Sequence, residues 1–261
     1  MNTILSRTLA ISLIVISFIP SLIHAQEFEG VVTNTMQVPM LGDQKIPITV
    51  NQKGGKTMVA MDVPVQGNVK MFLDKATNKI TIVMEAQKQG IEMDQAAIDA
   101  KTKNITYPVP TASGKKDTIQ GYTSEEFTTP IEGGATMSLW MTKDAPKNIS
   151  VAINASYQGT LQLNGLKTKS YTDLFKKGYV PLRTVITKAG EVQVTIEFVK
   201  AESKKLEDKI FVIPEGLTIQ KVDPSQMKQD ADEMKENATQ SADTTSHQKM
   251  EKMEMKKDGD K

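Results

Sequence analysis

Cysteine is absent from all 261 residues, so neither disulfides nor thiolate chemistry can contribute, and the fold must be stable from its core alone. Histidine occurs twice, as His24 in an N-terminal apolar run and His247 in a polar C-terminal stretch. The body of the chain is therefore without histidine, which excludes from it a Ser-His-Asp or Cys-His nucleophile and a His-based metal centre. Arginine occurs only as Arg7 and Arg183, so a bidentate clamp on phosphate or carboxylate can be built at one place in the body at most. The formal net charge of +1 lacks the basic excess with which nucleic-acid binders displace counterions. These absences still leave open a carboxylate-only mechanism of the glycoside-hydrolase kind.

The N-terminus carries one charge, Arg7, followed by an apolar run from Leu9 to Ile23 broken only by Ser12, Ser17, Pro20 and Ser21. That run is short for a membrane span, and Ala25 offers a small residue for cleavage. The pattern predicts a secretory signal over residues 1–25 and a mature chain starting near Gln26. With no cysteine at the cleavage point, a lipid anchor is excluded, and a soluble periplasmic or secreted protein without a transmembrane span is expected. Removal of residues 1–25 leaves 236 (261 minus 25), enough for one large β domain or two small ones, and loss of Arg7 takes the charge from +1 to 0.

Alternation with a period of two dominates the chain after residue 26. In KTMVAMDV one face is Thr57, Val59, Met61 and Val63; NVKMFLD aligns Val69, Met71 and Leu73; KITIVM aligns Ile80, Ile82 and Met84. Gly54-Gly55 marks a hairpin turn, and Lys75 to Asn78 another. The alternation stops from Glu85 to Lys103, where a short helix is expected around Asp94 to Lys101. A second β block runs through KKDTIQGYTSEEFTTP, the turn Glu132 to Gly134, and ATMSLWMTKD, in which Met137, Leu139 and Met141 oppose Trp140. One or two short helices are expected between Ala145 and Lys177. A final meander runs through YVPLRTVITK, the turn Ala189-Gly190, EVQVTIEFVKAESKKL and IFVIPEGLTIQKV, with Val192, Val194, Ile196 and Phe198 on one face. The expectation is a mainly β fold of nine or ten antiparallel strands over residues 26–222, as one meander sheet or open barrel. From Asp223 to Lys261 aromatic and β-branched aliphatic residues vanish, which predicts a disordered, charged, Met-containing tail.

Three constellations bear on chemistry. Glu125-Glu126 are adjacent carboxylates, but on a strand neighbours point to opposite faces and cannot converge on one atom, so both are expected to be solvated and no catalytic residue is assigned. In IQGYTSEEF, Gly121 is expected to relieve crowding or make a bulge, with Tyr122 packed beside it. The tail places His247, Met250 and Met253 at steps of three, a weak soft-metal pattern without a second histidine or a cysteine, so no metal and no cofactor is assigned. Methionine is more informative: Met36, Met40, Met58, Met61, Met71, Met84 and Met93, later joined by Met137 and Met141, suit a sheet face that adapts to a loosely defined hydrophobic ligand, or a core packed with Met in place of Leu.

The order of short motifs resembles a known family. Phe28 and Gly30 give F-x-G; Ile119, Gly121, Tyr122, Ser124 and Phe127 give I-x-G-Y-x-S-x-x-F; Trp140 and Thr142 to Asp144 give W-x-T-K-D. Tyr179 to Thr184 and Ile213 to Leu217 add Y-V-P-L-R-T and I-P-E-G-L. From Phe28 to about Val222 the chain is similar to the bacterial domain of unknown function 4412, itself similar in fold to the lipoprotein carriers LolA and LolB. Members often carry cysteine where Ser124 stands, so any role of that thiol is absent here. The resemblance implies an incomplete antiparallel barrel plugged by helices around an apolar cavity able to hold acyl chains, and it transfers no catalytic residue. The inward, ligand-binding candidates are Val59, Met61, Met71, Ile82, Met84, Leu139, Met141, Val194, Ile196 and Phe198. The expected function is non-enzymatic binding of a lipid or lipidated peptide by an exported envelope protein. The alternative is a structural or interaction module of the envelope with a filled core and the tail as its contact segment.

Overall fold

Wherever the period of two is present, the chain extends, and pairing of successive extended segments builds most of the molecule. The computed structural model describes residues 28–42, 44–64, 66–95, 97, 108–163 and 169–222. The expected signal at 1–25 and tail from 223 lie outside them, as does most of the helix expected at 94–101. Six strands come first: β1 (Gly30–Gln37), β2 (Lys45–Lys53), β3 (Lys56–Val63), β4 (Gly67–Asp74), β5 (Lys79–Met84) and β6 (Gln89–Asp94). A second series runs through β7 (Thr111–Ile119), β8 (Tyr122–Ile131) and β9 (Ala135–Thr142). The helices α1 (Lys147–Leu163) and α2 (Lys169–Lys176) come next, then β10 (Val180–Lys188), β11 (Glu191–Ser203) and β12 (Thr218–Lys221).

The twelve strands of the described residues form one sheet in the order β12-β6-β5-β4-β3-β2-β1-β11-β10-β9-β8-β7. It is curved and not closed into a barrel, with β12 and β7 as its edges. The first meander joins the second through β1, which pairs antiparallel with both β2 and β11. The twelve strands of the described residues exceed the nine or ten expected, for two reasons. The block KKDTIQGYTSEEFTTP is two strands. QGIEMD, whose sequence does not alternate, is β6, with Asp94 its last residue; Gly90 and Met93 are its buried positions, and Gln95 and Ala97, the described residues of the expected helix beyond it, are helical. The segment after β11 does not continue the meander: IFVIP forms a 3-10 turn and bends, and the chain reaches the far edge, where β12 pairs parallel with β6.

The tip of IQGYTSEEF is a turn and not a bulge. Gln120 and Gly121 have φ of 50° and 81°, the two positive values of a type I′ hairpin loop, whose twist matches the flanking strands. Ala189 and Gly190 repeat it at 52° and 84°. A register shift between Ile186 and Thr187 accounts for another departure from strict alternation. Val192 opposes Thr187 there and is 43% exposed, although Val194, Ile196 and Phe198 are buried as expected.

Residues 204–217 form a strap over the face of β3–β5 opposite the main core. It is pinned at its start, where the backbone N–H of Leu206 donates to Glu29 Oε1 at 2.7 Å and Lys53 Nζ donates to the Leu206 carbonyl at 2.7 Å and lies 3.0 Å from Asp208. Ile210, Phe211 and Leu217 then cover a patch of Met58, Phe72 and Val83. At its end Thr218 N–H donates to Lys88 O, and β12 lies so close to β6 that a Cβ on Gly90 would meet Ile219 Cδ1 at 2.5 Å. Because Lys53 joins the start of the strap to β2, Lys53→Ala is expected to speed tryptic cleavage after Lys204, Lys205 and Lys209 severalfold while leaving the far-UV circular dichroism unchanged. Unchanged cleavage would show that the apolar patch alone holds the strap.

Candidate functional site

Cross-strand register assembles the apolar faces into rows. One row runs Ala201, Val32, Val50, Val59, Met71, Ile82 and Ile91, through β11, β1, β2, β3, β4, β5 and β6. A second runs Phe198, Asn34, Ile48, Met61, Val69 and Met84. A third runs in the other direction, Ile46, Met36, Ile196, Thr184, Leu139 and Phe127, from β2 to β8. The ten inward candidates are all buried, at 0–8% exposure. Val59, Met61, Met71, Ile82, Met84, Val194, Ile196 and Phe198 belong to one core cluster; Leu139 and Met141 belong to a second, with Phe127, Met137 and Leu174. Of the methionines, Met40 is 81% exposed and Met58 lies under the strap. The rest of the series faces the core.

Two helices lie on this inner face. α1 packs against β10, β1 and β11 and contributes Ala152 and Ile153 to the main cluster. α2 sets Leu174 against Phe127, Leu139 and Met141. Just beyond α2, Tyr179 stacks edge-on with Phe127 at 5.1 Å and donates to Glu125 Oε2 at 2.9 Å. Burial and the neighbouring Glu125 carboxylate push the Tyr179 hydroxyl above its ordinary pKa, so it stays a neutral donor.

The opposite face of β8–β11 holds the charges. Arg183, the only arginine of the described residues, bonds Glu197 at 2.6 Å and Asp117 at 2.7 Å and lies 5.9 Å from the Trp140 ring centroid. β10 and β7 are three strand spacings apart, about 14 Å in a flat sheet, so the direct bond requires the β7–β8 hairpin to curl back. Ile119 and Tyr122 at its tip pack on the main core. The clamp that a lone arginine permitted is thus used to hold the sheet's own curvature.

Glu125 and Glu126 do point to different partners, but the expectation that both are solvated is wrong. Glu126 is 6% exposed, accepts from Ser113 Oγ at 2.7 Å and lies 3.4 Å from Lys115 Nζ. A bulge in β7 around Gly114 brings these two partners over it. Burial pushes its carboxyl up, but Ser113, Ser138 and Lys115 more than offset this and hold it below the ordinary value; the Arg183 guanidinium and the Thr118 N–H do the same for Asp117. Carboxylates depressed in the folded state stabilise it fully above the unfolded value, near 4, and lose that contribution as pH falls through the folded value. Acid titration followed by the emission of Trp140, the single tryptophan, is therefore expected to show the hairpin loosening below pH 4. Asp117→Asn should show part of that change already at neutral pH. An unchanged acid profile in this variant would mean that Asp117 does not hold the tip.

Two clefts open elsewhere. One, about 400 Å³, lies beside the strap and is lined by residues including Phe72, Phe211, Val212 and Lys56. The other, about 420 Å³, lies at the β3–β4 turn around Asp62 and Gln66. None of the ten inward candidates lines either. Among the described residues no three His, Cys, Asp or Glu side chains gather to hold a metal ion; His247, Met250 and Met253 lie outside them. No described helix is long and apolar enough to cross a membrane.

The family described as Domain of unknown function (DUF4412) matches residues 28–217. The chain belongs to this family. The DUF4412 match opens at Phe28, whose ring lies against Gly30, and closes at Leu217, the last strap residue on the outer patch. Among solved structures the chain is similar to an uncharacterized conserved protein from Thermus thermophilus, with 10% identity and a TM-score of 0.47 over 74% of this chain and 91% of that one. It is similar also to the Mycobacterium tuberculosis lipoprotein LppX (9%, TM-score 0.36, 69% and 89%). A LolA superfamily protein from Nitrosomonas europaea is a third (13%, TM-score 0.31, 73% and 92%). No curated protein matches the chain.

Proposed function

We propose that this protein is an exported, non-enzymatic binding protein of the cell envelope, periplasmic or secreted, that holds a lipid or lipidated peptide between the inner face of its sheet and the inserted helices. The observation that carries this is the extent of the apolar rows. They reach through β3, β4, β5 and β6, beyond the strands on which α1 packs, and three of the positions there are Met61, Met71 and Met84. Thioether side chains re-form around varied apolar shapes. Burial contributes about 0.8 kcal/mol per methylene, so a chain of about sixteen carbons supplies ~13 kcal/mol against association costs of ~4–15 kcal/mol. Long acyl chains are thus the ligand class that the face can retain.

One observation favours a second reading, a structural or interaction module of the envelope with a filled core and residues 223–261 as its contact segment. The ten inward candidates pack on one another and line neither cleft. Native mass spectrometry of protein purified from its own host separates the two. The carrier reading expects a co-purified mass of lipid size and uptake of a fluorescent fatty acid. A single bare mass with no uptake would leave the filled-core module.

A further inference from the structure

Thr184 is out of place in its row. Ile46, Met36, Ile196, Leu139 and Phe127 are apolar, and Thr184, 3% exposed between Ile196 and Leu139, turns a hydroxyl into them with no hydrogen-bond partner. A buried hydroxyl left unmade costs stability, and valine has nearly its shape without that cost. A second orphan lies on the helix over the same strand: α1 packs against β10, and Asn154 on α1 has a buried Oδ1 that also lacks a partner. One group can donate and accept, the other accepts.

We propose that Thr184 and Asn154 recognise a neutral hydrogen-bonding group on the buried part of the ligand, a hydroxyl or a secondary amide, which can accept from Thr184 Oγ1 and donate to Asn154 Oδ1. This rests on the carrier reading above. A carboxylate does not suit the site. The three apolar rows contain no Lys, Arg or His, and the adjacent Arg183 sits on the other face with its guanidinium engaged by Glu197 and Asp117. A buried carboxylate would therefore be unpaired, at high cost. The two sources of the neutral group, a glycerol ester with a free hydroxyl and an N-acylated peptide, share this chemistry and differ in which of them competes better.

Displacement of the neutral probe N-phenyl-1-naphthylamine from the purified protein tests it with four C12 ligands: 1-lauroylglycerol, N-lauroylglycinamide, laurate at pH 8 and dodecane. The wild type is expected to prefer at least one of the two neutral polar ligands over laurate by about tenfold. Thr184→Val should abolish that preference, leave dodecane unchanged and raise the melting temperature, while Thr184→Ser keeps the preference. A wild type that binds all four without discrimination overturns the inference and leaves the carrier reading standing. So does a Thr184→Val variant with unchanged affinities or a lowered melting temperature, which would show the hydroxyl to be already satisfied. Failure of the probe and all four ligands to bind removes the carrier reading and this inference with it.

Discussion

Gly30→Ala is expected to destabilise the protein by about 3 kcal/mol, the scale of a forced clash in a packed interior. A Cβ at position 30 would fall on the carbonyl oxygen of Glu202, 2.7 Å from the Phe28 ring and 3.0 Å from Ser203 Cα. The Phe28 ring can swing aside, but the backbone of β11 cannot move without opening its pairing with β1, where Gly30 faces Ser203. That pairing is the antiparallel seam between the two meanders, so relief of the clash works against the whole sheet. Gly121→Ala is the informative control. Nothing lies within 4 Å of its Cβ, and with φ of 81° it bears only backbone strain, about 1–2 kcal/mol. Urea unfolding of both variants measures the difference. If Gly30→Ala is no worse than Gly121→Ala, the seam is not as close as this geometry requires. The same contact gives the F-x-G motif a physical reason, since the Phe28 ring occupies the space where any side chain at 30 would stand.

Met71→Ala should cost about 2–5 kcal/mol, because Met71 is fully buried between Val59 and Ile82 and the rigid sheet around it cannot collapse into the space left. Met71→Leu conserves volume and should cost less than about 1.5 kcal/mol. The pair also bears on function. If the inner face adapts to its ligand, Met71→Leu should leave the fold intact and narrow the range of acyl chains that displace a bound probe. A variant with an unaltered ligand range would favour methionine as simple filling. Denaturation midpoints at constant slope read the first effect, and competition with chains of different length reads the second.

Much of the framework is legible in the sequence because alternation is local. In β3, β4, β5 and β9 the residues that share a face by sequence are all buried, although the strap also buries Met58, Phe72 and Val83 on the other face, and Gly54-Gly55 and Ala189-Gly190 turn where the sequence says they should. β6 escapes a sequence reading because Gly90 hides its pattern, and that glycine is required by the approach of β12 from a distant part of the chain. Glu126 departs from expectation for a similar reason. Its burial depends on Ser113 and Lys115, which reach it only because β7 bulges beside β8. The candidate site divides in the same way: alternation selects ten buried positions, but no local pattern marks Thr184 as the one hydroxyl in its apolar row.

By itself, then, the sequence determined a histidine-free and cysteine-free body, a β fold with methionines on its apolar faces, and membership of a family marked by short motifs. These depend on residue type and on spacings of a few positions. The tertiary structure alone decided the twelve-strand order, the register that lines Val59, Met71 and Ile82 into one row, the strap and the use of Arg183. The row comes from pairing of neighbouring strands, whereas the strap and the arginine clamp are made by groups far apart in the chain, 66 residues for Arg183 and Asp117 and 177 for Leu206 and Glu29. IQGYTSEEF shows both sides: its Gly-Tyr pair is a local hairpin signal, while the destination of the hairpin tip is set by an arginine three strands away.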